Sequence, residues 1–437
     1  MKLHSTLLAA CSLVALTGVA SAETLTIATV NNGDMIRMQK LTDDFTKDHP
    51  DIDLEWVTLE ENVLRQKVTT DIATKGGQYD VLTIGNYEVP IWAKQNWLLE
   101  LSGMPSDYDE ADLLPAIAGG LSVDGKLYAA PFYGESAMVM YRTDLAEKAG
   151  VTIPAEPTWD EIMAAAKAMT DKDAGIYGIC LRGKAGWGEN MAFLGAMSNS
   201  YGARWFDMEW KPQFDTEEWK ATLTDYLDMM NNYGPPGASS NGFNENLALF
   251  QQGKCGMWID ATVAASFVTD PKESKVADSV GFALFPEKGD LGNRGNWLWS
   301  WNLAIPASTT KADAAKAFVA WATSKHYTDL VAEQDGWRAA PPGTRTSLYE
   351  NADYQEAAPF AEMTLESINA VDTNKPSVQE IPYTGAQFVS IPEFQGIGTA
   401  VGQQFSAALA GNVTADQALN NAQQLTQREM MKAGYIK

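Results

Sequence analysis

Histidine and cysteine are scarce in this 437-residue chain, which contains three of each. His49 and His326 are isolated, and no two cysteines have the spacing of metal ligands, so the sequence offers no zinc site. We therefore predict neither a metal nor a cofactor. Cys180 and Cys255 each lie in a strand-like apolar run, where two buried thiols and a disulfide are both open possibilities.

Long apolar stretches are also missing, apart from one short run near the N-terminus. Residues 7–19 are apolar, Lys2 precedes them, and small residues at positions 20–22 follow. This arrangement predicts a signal peptide over residues 1–22, and the run is too short for a membrane-spanning helix. Cys11 ends a run that resembles a lipid-attachment box, but cleavage there would leave few apolar residues before the cut. Export would permit a disulfide between the two remaining cysteines.

Basic residues are too few to balance the acidic ones. The chain has 32 lysines and arginines against 56 aspartates and glutamates, and its formal net charge is −24. Such a surface repels nucleic acid and anionic lipid, so we predict neither as a partner. The charge does not identify a ligand.

Strand-like and helix-like segments alternate at the start of the chain. Residues 25–30, 52–57 and 79–84 have the β-branched or alternating pattern of strands, and residues 35–47 and 64–75 have helical spacing between them. The alternation predicts an α/β fold with a mainly parallel sheet, and the chain length predicts two domains. In such sheets ligands bind beyond the carboxyl ends of the strands.

Polar residues follow two of these predicted strands. Asn31 and Asn32 come directly after the first, and Asn86 and Tyr87 come after the third. The position predicts a polar rim at one edge of the sheet, where a ligand would bind. Asn31 and Asn32 could equally be turn formers.

Seven short motifs occur in an order that resembles the family 1 extracellular solute-binding proteins. They are residues 44–50, 77–84, 125–132, 140–145, 157–161, 253–258 and 303–307. The set spans nearly all of the chain after the predicted signal peptide. Within the family the sequence is most similar to the members that bind sorbitol and mannitol.

The resemblance implies two α/β lobes of the periplasmic binding protein type, joined by hinge crossovers with a ligand cleft between them. Residues 23–131 with about 303–336 would form the first lobe, and residues 132–302 with about 337–437 the second. The implied protein is a periplasmic monomer without catalytic activity. It would bind a small neutral sugar alcohol and deliver it to the membrane permease of an ABC importer. Service to a chemoreceptor is compatible with this.

Two other functions use the same residue types. A maltose-like mono- or oligosaccharide binder of the same family would want a longer cleft with several stacking rings. An exported glycoside hydrolase would need two carboxyl groups facing each other across the bond, and Glu135 and Asp260 are the pair available. The ordered family motifs argue against the hydrolase.

A neutral polyol is bound through many hydrogen bonds and through aromatic rings against its C–H faces. Trp297, Trp299 and Trp301 alternate along a strand-like run, which places them on one face. We expect Trp297 in the core, whereas core and cleft are both open for the other two. Asn302 follows directly and joins the candidates.

The remaining candidates lie near the predicted crossovers and strand ends. The resemblance implies an acidic ligand contact at Glu135 and a polar one at Asn86. Arg182 and Asp260 follow strands of the second lobe, where they could clamp vicinal hydroxyls or form an ordinary salt bridge. The further candidates of this kind are Trp187, Trp258, Thr262 and Arg338.

Overall fold

The computed structural model describes residues 22–437. Residues 1–21 of the predicted signal peptide, with Cys11, lie outside the described residues. Within 22–437, no helix combines the length and the apolar character that crossing a bilayer requires.

The strands of this part of the chain are mostly short. They are β1 (Glu23–Val30), β2 (Ile52–Leu59), β3 (Val81–Gly85), β4 (Ser122–Val123), β5 (Lys126–Leu127), β6 (Ala129–Glu135), β7 (Ala137–Arg142), β8 (Tyr177–Cys180), β9 (Cys255–Ala261), β10 (Val280–Leu284) and β11 (Trp299–Ala304).

Helices connect and cover the strands. They are α1 (Gly33–Lys40), α2 (Thr42–Asp48), α3 (Glu61–Thr74), α4 (Glu88–Lys94), α5 (Pro115–Gly120), α6 (Thr143–Ala149), α7 (Trp159–Met169), α8 (Asn190–Ser200), α9 (Glu217–Tyr233), α10 (Phe243–Gln251), α11 (Ala264–Val268), α12 (Ala312–Ala322), α13 (Lys325–Asp335), α14 (Thr346–Glu350), α15 (Ala352–Ala357), α16 (Ala361–Asn369), α17 (Phe394–Leu409) and α18 (Ala415–Ala433). A capping box formed by Thr158 and Glu161 begins α7.

Two larger sheets organise the molecule. The first has the strand order β2-β1-β3-β11-β6, and the second has the order β10-β7-β9-β8. We call each sheet with its covering helices the first and the second lobe. The α/β prediction is confirmed, but the expectation of a mainly parallel sheet holds only for β2-β1-β3 in the first sheet and for the pair β8-β9 in the second. Strand β11 runs antiparallel to both of its neighbours, and β7 does the same in the second lobe. The reason is that these strands enter from segments that cross between lobes.

The chain passes between the lobes at adjacent points. Strand β6 ends at Glu135 and β7 begins at Ala137, so at this crossover a single residue, Ser136, separates the strands of the two sheets. The Ser136 hydroxyl donates to the Trp297 carbonyl at 2.6 Å, on the segment that leads back into the first lobe. The Thr262 hydroxyl accepts a hydrogen bond from the Ser136 amide at 3.2 Å. These bonds hold the outgoing and returning crossovers side by side at the base of the space between the lobes.

Cys180 and Cys255 form a disulfide, which decides between the two possibilities that their sequence context leaves open. The bond joins β8 to β9, which pair in parallel. It therefore links β8, which ends two residues before Arg182, to β9, which contains Asp260. The residue boundaries of the two lobes remain a prediction.

Candidate ligand-binding site

A cavity lies between the two lobes. It encloses about 460 Å³ of atom-free space, including the open space at its mouth. Both lobes contribute to its wall. The lining residues are Asn32, Glu61, Arg65, Tyr133, Glu135, Arg182, Trp187, Gly188, Ala192, Phe243, Trp297, Trp299, Trp301 and Gln387.

Strands β6 and β11 form one wall of this cavity. Their antiparallel register pairs Glu135 with Trp299 and Tyr133 with Trp301, and residues paired in this way share a face of the sheet. All three alternating tryptophans line the cavity, so the prediction that they lie on one face is confirmed. Trp297 is part of the buried core, as predicted, with its side chain 1% exposed. Its ring also borders the cavity, and its indole N–H has no hydrogen-bond partner within residues 22–437.

The carboxyl ends of β1 and β2 form the next part of the wall, as the parallel pairing of these strands requires. Asn32 follows β1, and its side-chain amide donates to the Tyr133 hydroxyl at 3.0 Å. Glu61 follows β2 and is the first residue of α3. The amide oxygen of Asn32 and the carboxylate of Glu61 bring hydrogen-bond acceptors to this side.

Arg65 lies one turn further along α3, and its guanidinium is held by two carboxylates. Its Nη2 donates to Glu61 Oε1 at 2.8 Å, and its Nη1 donates to Glu88 Oε1 at 2.9 Å. Because Glu88 is buried, its pKa is raised despite the nearby Arg65 cation, which acts in the opposite direction. The Arg65 side chain is 5% exposed, so this is a buried ion-pair cluster.

Arg182 occupies the corresponding place in the second lobe. Its Nε and Nη2 form a fork with Asp260, with the shortest contact at 2.6 Å from Nη2 to Oδ1, and its Nη1 donates to the Gly188 carbonyl at 2.8 Å. Asp260 also accepts from the Trp258 indole and from the Ala261 amide. The aspartate is therefore fully occupied in orienting Arg182.

Glu135 is the carboxylate most directly available to a ligand. It is 6% exposed, lines the cavity, and has no hydrogen-bond or ion-pair partner in the described part of the chain. Burial raises its pKa to about 8, and the negative charges of Asp260 and Glu61 act in the same direction, whereas the Arg182 cation lowers it. A ligand hydroxyl would supply the hydrogen bond that the carboxylate lacks.

Aromatic rings and an amide complete the enclosure. Trp187 lies 5.6 Å from Trp299 between ring centroids, in an edge-to-face arrangement. Gln387 forms two hydrogen bonds with the backbone of Leu298, which fix its amide beside the cavity.

Six of the fourteen predicted site residues line the cavity. They are Asn32, Glu135, Arg182, Trp187, Trp299 and Trp301. The structure brings these six together from β6, β11, the start of α1 and the loop before α8.

The other predicted residues of the first lobe point elsewhere. Asn31 is exposed and accepts a hydrogen bond from Asn244 at the mouth. Asn86 exchanges hydrogen bonds with the backbone around Leu298. Tyr87 lies behind Trp187 and donates to the Ile391 carbonyl at 2.8 Å. Their side chains serve packing and loop attachment in this geometry.

Three predicted residues on and directly after β9 support the cavity from outside. Trp258 and Asp260 belong to the network that orients Arg182. Thr262 takes part in the crossover at Ser136.

Asn302 and Arg338 also lie away from the cavity. The Asn302 amide donates to the Ile84 and Ser300 carbonyls within the sheet. Arg338 donates to the Thr269 carbonyl at 2.8 Å, away from the cavity.

Sequence reasoning missed eight lining residues. They are Glu61, Arg65, Tyr133, Gly188, Ala192, Phe243, Trp297 and Gln387. A signal for the first two was present, because Glu61 follows β2 in the same way that Asn32 follows β1, and Arg65 is four residues further along the helix. The predicted helix starts at residue 64, whereas α3 starts at Glu61, so the prediction separated Glu61 from the helix that also carries Arg65. Gln387 follows no strand and carries no comparable signal.

The mouth of the cavity is bridged by contacts between the lobes. Lys184 Nζ donates to Glu60 Oε1 at 2.6 Å, and the Asn62 amide donates to the Ala185 carbonyl at 3.3 Å. The cleft is therefore narrow at this edge, and the cavity behind it is largely enclosed.

The family model for bacterial extracellular solute-binding proteins matches residues 32–329. The chain belongs to this family. A mannitol-binding protein of Pseudomonas aeruginosa is 59% identical over 417 residues, which are 95% of this chain and 95% of that protein.

Solved structures of the same family have the same fold. A solute-binding protein of Agrobacterium vitis S4, crystallised with bound D-mannitol, is 74% identical with a TM-score of 0.94 and covers 95% of this chain and 100% of its own. A ribitol complex from Agrobacterium radiobacter K84 is 24% identical with a TM-score of 0.82, covering 94% of this chain and 99% of its own, and shows likeness of fold alone.

Other chemistries find little support in the geometry. Between residues 22 and 437 no group of three or more histidine, cysteine or acidic side chains could hold a metal ion. The carboxylate pair considered for glycoside hydrolysis does not face across the cavity, because Asp260 is not among the lining residues.

Proposed function

We propose that this chain is the periplasmic substrate-binding component of an ABC importer and that its ligand is an acyclic hexitol, with D-mannitol as the first candidate. The observation that carries the proposal is the 74% identical solute-binding protein that holds D-mannitol. The mannitol-binding relative from Pseudomonas aeruginosa supports the same ligand class.

The lining fits a small neutral ligand. Its charged groups are mixed in sign, with Glu61 against Arg65 and Arg182, and Glu135 joins the acidic side above its pKa of about 8. The lining therefore carries no large excess of one sign to attract a charged solute, whereas hydroxyl groups find both donors and acceptors. Glu135, Asn32 and Gln387 offer oxygens, and Arg182 offers N–H groups, beside aromatic surfaces for C–H contacts.

Closure of the two lobes provides the signal to the permease in this proposal. The cavity wall comes from both lobes, so a ligand that contacts both sides is bound more tightly in the closed state than in the open one. Only that difference in affinity can shift the equilibrium toward closure. We retain the predicted lobe boundaries, export by the signal peptide, the absence of catalysis and action as a monomer as parts of the proposal.

Thermal unfolding and calorimetry on the purified mature chain test the ligand. The protein is first unfolded and refolded to remove co-purified ligand, and then mixed with D-mannitol, sorbitol, ribitol, D-glucose or maltose. A ligand at one hundred times its dissociation constant adds about 2.7 kcal/mol to stability. We expect the largest shift with a hexitol and none with maltose.

Different outcomes would contradict the proposed ligand and the proposed non-catalytic role. A shift with maltose alone would replace the polyol by an oligosaccharide within the same family. Release of reducing sugar from oligosaccharides would contradict the non-catalytic role.

A further inference from the structure

The guanidinium of Arg65 lies inside a pocket of three tryptophan rings. Its central carbon is 4.0 Å from the ring centroid of Trp187 and 4.8 Å from those of Trp299 and Trp301. These distances are those of cation–π contacts, which a buried environment strengthens. All four side chains line the cavity.

Two carboxylates hold Arg65 in this position. Glu61 accepts from Nε and Nη2, and Glu88 accepts from Nη1. Glu88 is itself fixed, because its second oxygen accepts a hydrogen bond from the Gly85 amide at the end of β3 at 3.0 Å. An arginine with this many partners cannot swing aside without leaving buried charges unpaired, which is costly.

The tryptophan rings that surround Arg65 have another potential use. Aromatic faces of this kind are the surface on which the C–H face of a sugar ring rests. Here the protein's own side chain covers them. What remains open to a ligand is mainly the polar part of the cavity, at Asn32, Glu135, Arg182 and Gln387.

We propose that Arg65 is a specificity-determining residue that excludes ring-form sugars, because its guanidinium fills the aromatic slot between Trp187, Trp299 and Trp301. The cavity then admits an open-chain polyol, whose hydroxyls reach the polar groups without needing a flat stacking surface. This inference rests on the proposed function and deepens it from a family ligand class to a physical selection between open-chain and cyclic molecules.

The test compares affinities for D-mannitol and for methyl α-D-glucopyranoside, a neutral sugar that is locked in its ring form. The main variant is R65A with E88Q, which empties the slot and removes the charge of one stranded carboxylate. A second variant, R65Q with E88Q, keeps an amide beside Glu61 and preserves folding more securely. Calorimetry measures both dissociation constants, and circular dichroism confirms that each variant is folded.

Arg345 supplies the matched control. It is also buried, donates to the Thr323 carbonyl at 3.0 Å, and has its guanidinium over the Tyr108 ring at 4.9 Å. It does not line the cavity. R345A should lower stability without changing selectivity.

We expect the wild-type protein to bind D-mannitol and to reject the pyranoside. In the Arg65 variants the ratio of the pyranoside to the mannitol dissociation constant should fall at least tenfold, the scale on which a change in pocket shape discriminates ligands. Folded Arg65 variants with wild-type selectivity would overturn the inference and leave the proposed function intact. The same holds if R345A relaxes selectivity equally, or if the wild type already binds the pyranoside. A wild type that binds no polyol would overturn the proposed function itself.

Discussion

Arg65 and Arg182 face the same cavity from opposite lobes, and the comparison between them shows two ways to bury an arginine beside a ligand. Each guanidinium is paired with carboxylates and lies against aromatic rings, Arg182 being 5.3 Å from the Phe243 centroid. Arg65 is held along its own helix by Glu61 and from a second element by Glu88. Arg182 is held across two strands by Asp260.

The supports behind the two arginines also differ. Strands β8 and β9, which lead to Arg182 and Asp260, are joined by the Cys180–Cys255 disulfide. The Arg65 cluster relies on packing and ion pairing. Arg182 lies close enough to Glu135 to oppose the rise in its pKa, whereas Arg65 covers the rings of Trp187, Trp299 and Trp301. In the proposed site, the same residue type would thus contribute to ligand binding on one side and to exclusion on the other.

The largest expected effect comes from removing the carboxylate of the Arg182 pair. Asp260→Ala leaves a buried cation whose nearest remaining carboxylate in the described part of the chain is Glu189, at 3.5 Å, and breaking a buried pair in this way costs about 3–5 kcal/mol. Urea unfolding should show the loss, and calorimetry should show at least a hundredfold weaker binding of D-mannitol. Glu88→Ala should cost less, because Arg65 keeps Glu61.

Affinity provides the stricter criterion for this pair. If Arg182→Ala and Asp260→Ala both leave mannitol affinity unchanged, Arg182 is not a ligand contact and the candidate site is wrong. If Glu88→Ala destabilises the protein more than Asp260→Ala, the Arg65 side is the more tightly supported one.

The disulfide should stabilise the second lobe without taking part in binding. Replacing both Cys180 and Cys255 by alanine removes a link across 75 residues, and we expect the free energy of unfolding to fall by about 2–4 kcal/mol. The mannitol dissociation constant of the folded variant should stay within about threefold. Wild-type protein under reducing conditions is the control. A loss of affinity larger than tenfold would mean that the disulfide also positions Arg182.

Glu135→Gln should weaken binding and stabilise the unliganded protein at the same time. Its pKa of about 8 lies above its ordinary value, so the folded protein holds the proton more tightly than the unfolded chain. Stability therefore falls as pH rises from about 4.5 to 8, and the amide removes this contribution. Unfolding measured from pH 5 to 9 should show that the free energy of unfolding of the variant increases relative to that of the wild type up to about pH 8.

The affinity of the same variant should fall. A hydrogen bond to a charged group contributes about 1.5–3 kcal/mol, which corresponds to a 10- to 100-fold weaker mannitol complex. Since ligand hydroxyls favour the ionised carboxylate, wild-type affinity should rise with pH up to about 8, with proton release detectable by calorimetry in two buffers. The variant should lack this dependence, and a pH-dependent variant would assign the proton to another group.

How far the sequence predicts the site depends on the distance between the contributing segments. The order of the family motifs predicts the fold, and the position after β1 predicts Asn32. Alternation predicts that Trp297, Trp299 and Trp301 share a face, but it cannot tell cavity from core because both are buried. Gln387 reaches the site through bonds to Leu298, 89 residues earlier in the chain, and no local pattern encodes that contact.

The smallest expected effect concerns the mouth of the cavity, where the two lobes meet. Lys184 pairs with Glu60 across the lobes, but both side chains are partly exposed, at 26% and 34%. Partly exposed pairs contribute about 0.2–1 kcal/mol and are screened by salt. Lys184→Ala should weaken mannitol binding at most about fivefold, and the difference from wild type should shrink at high ionic strength. A larger loss of affinity that does not depend on salt would show that closure depends on the mouth of the cavity as much as on the two buried arginines. Ligand discrimination would then arise at the mouth and not in the cavity.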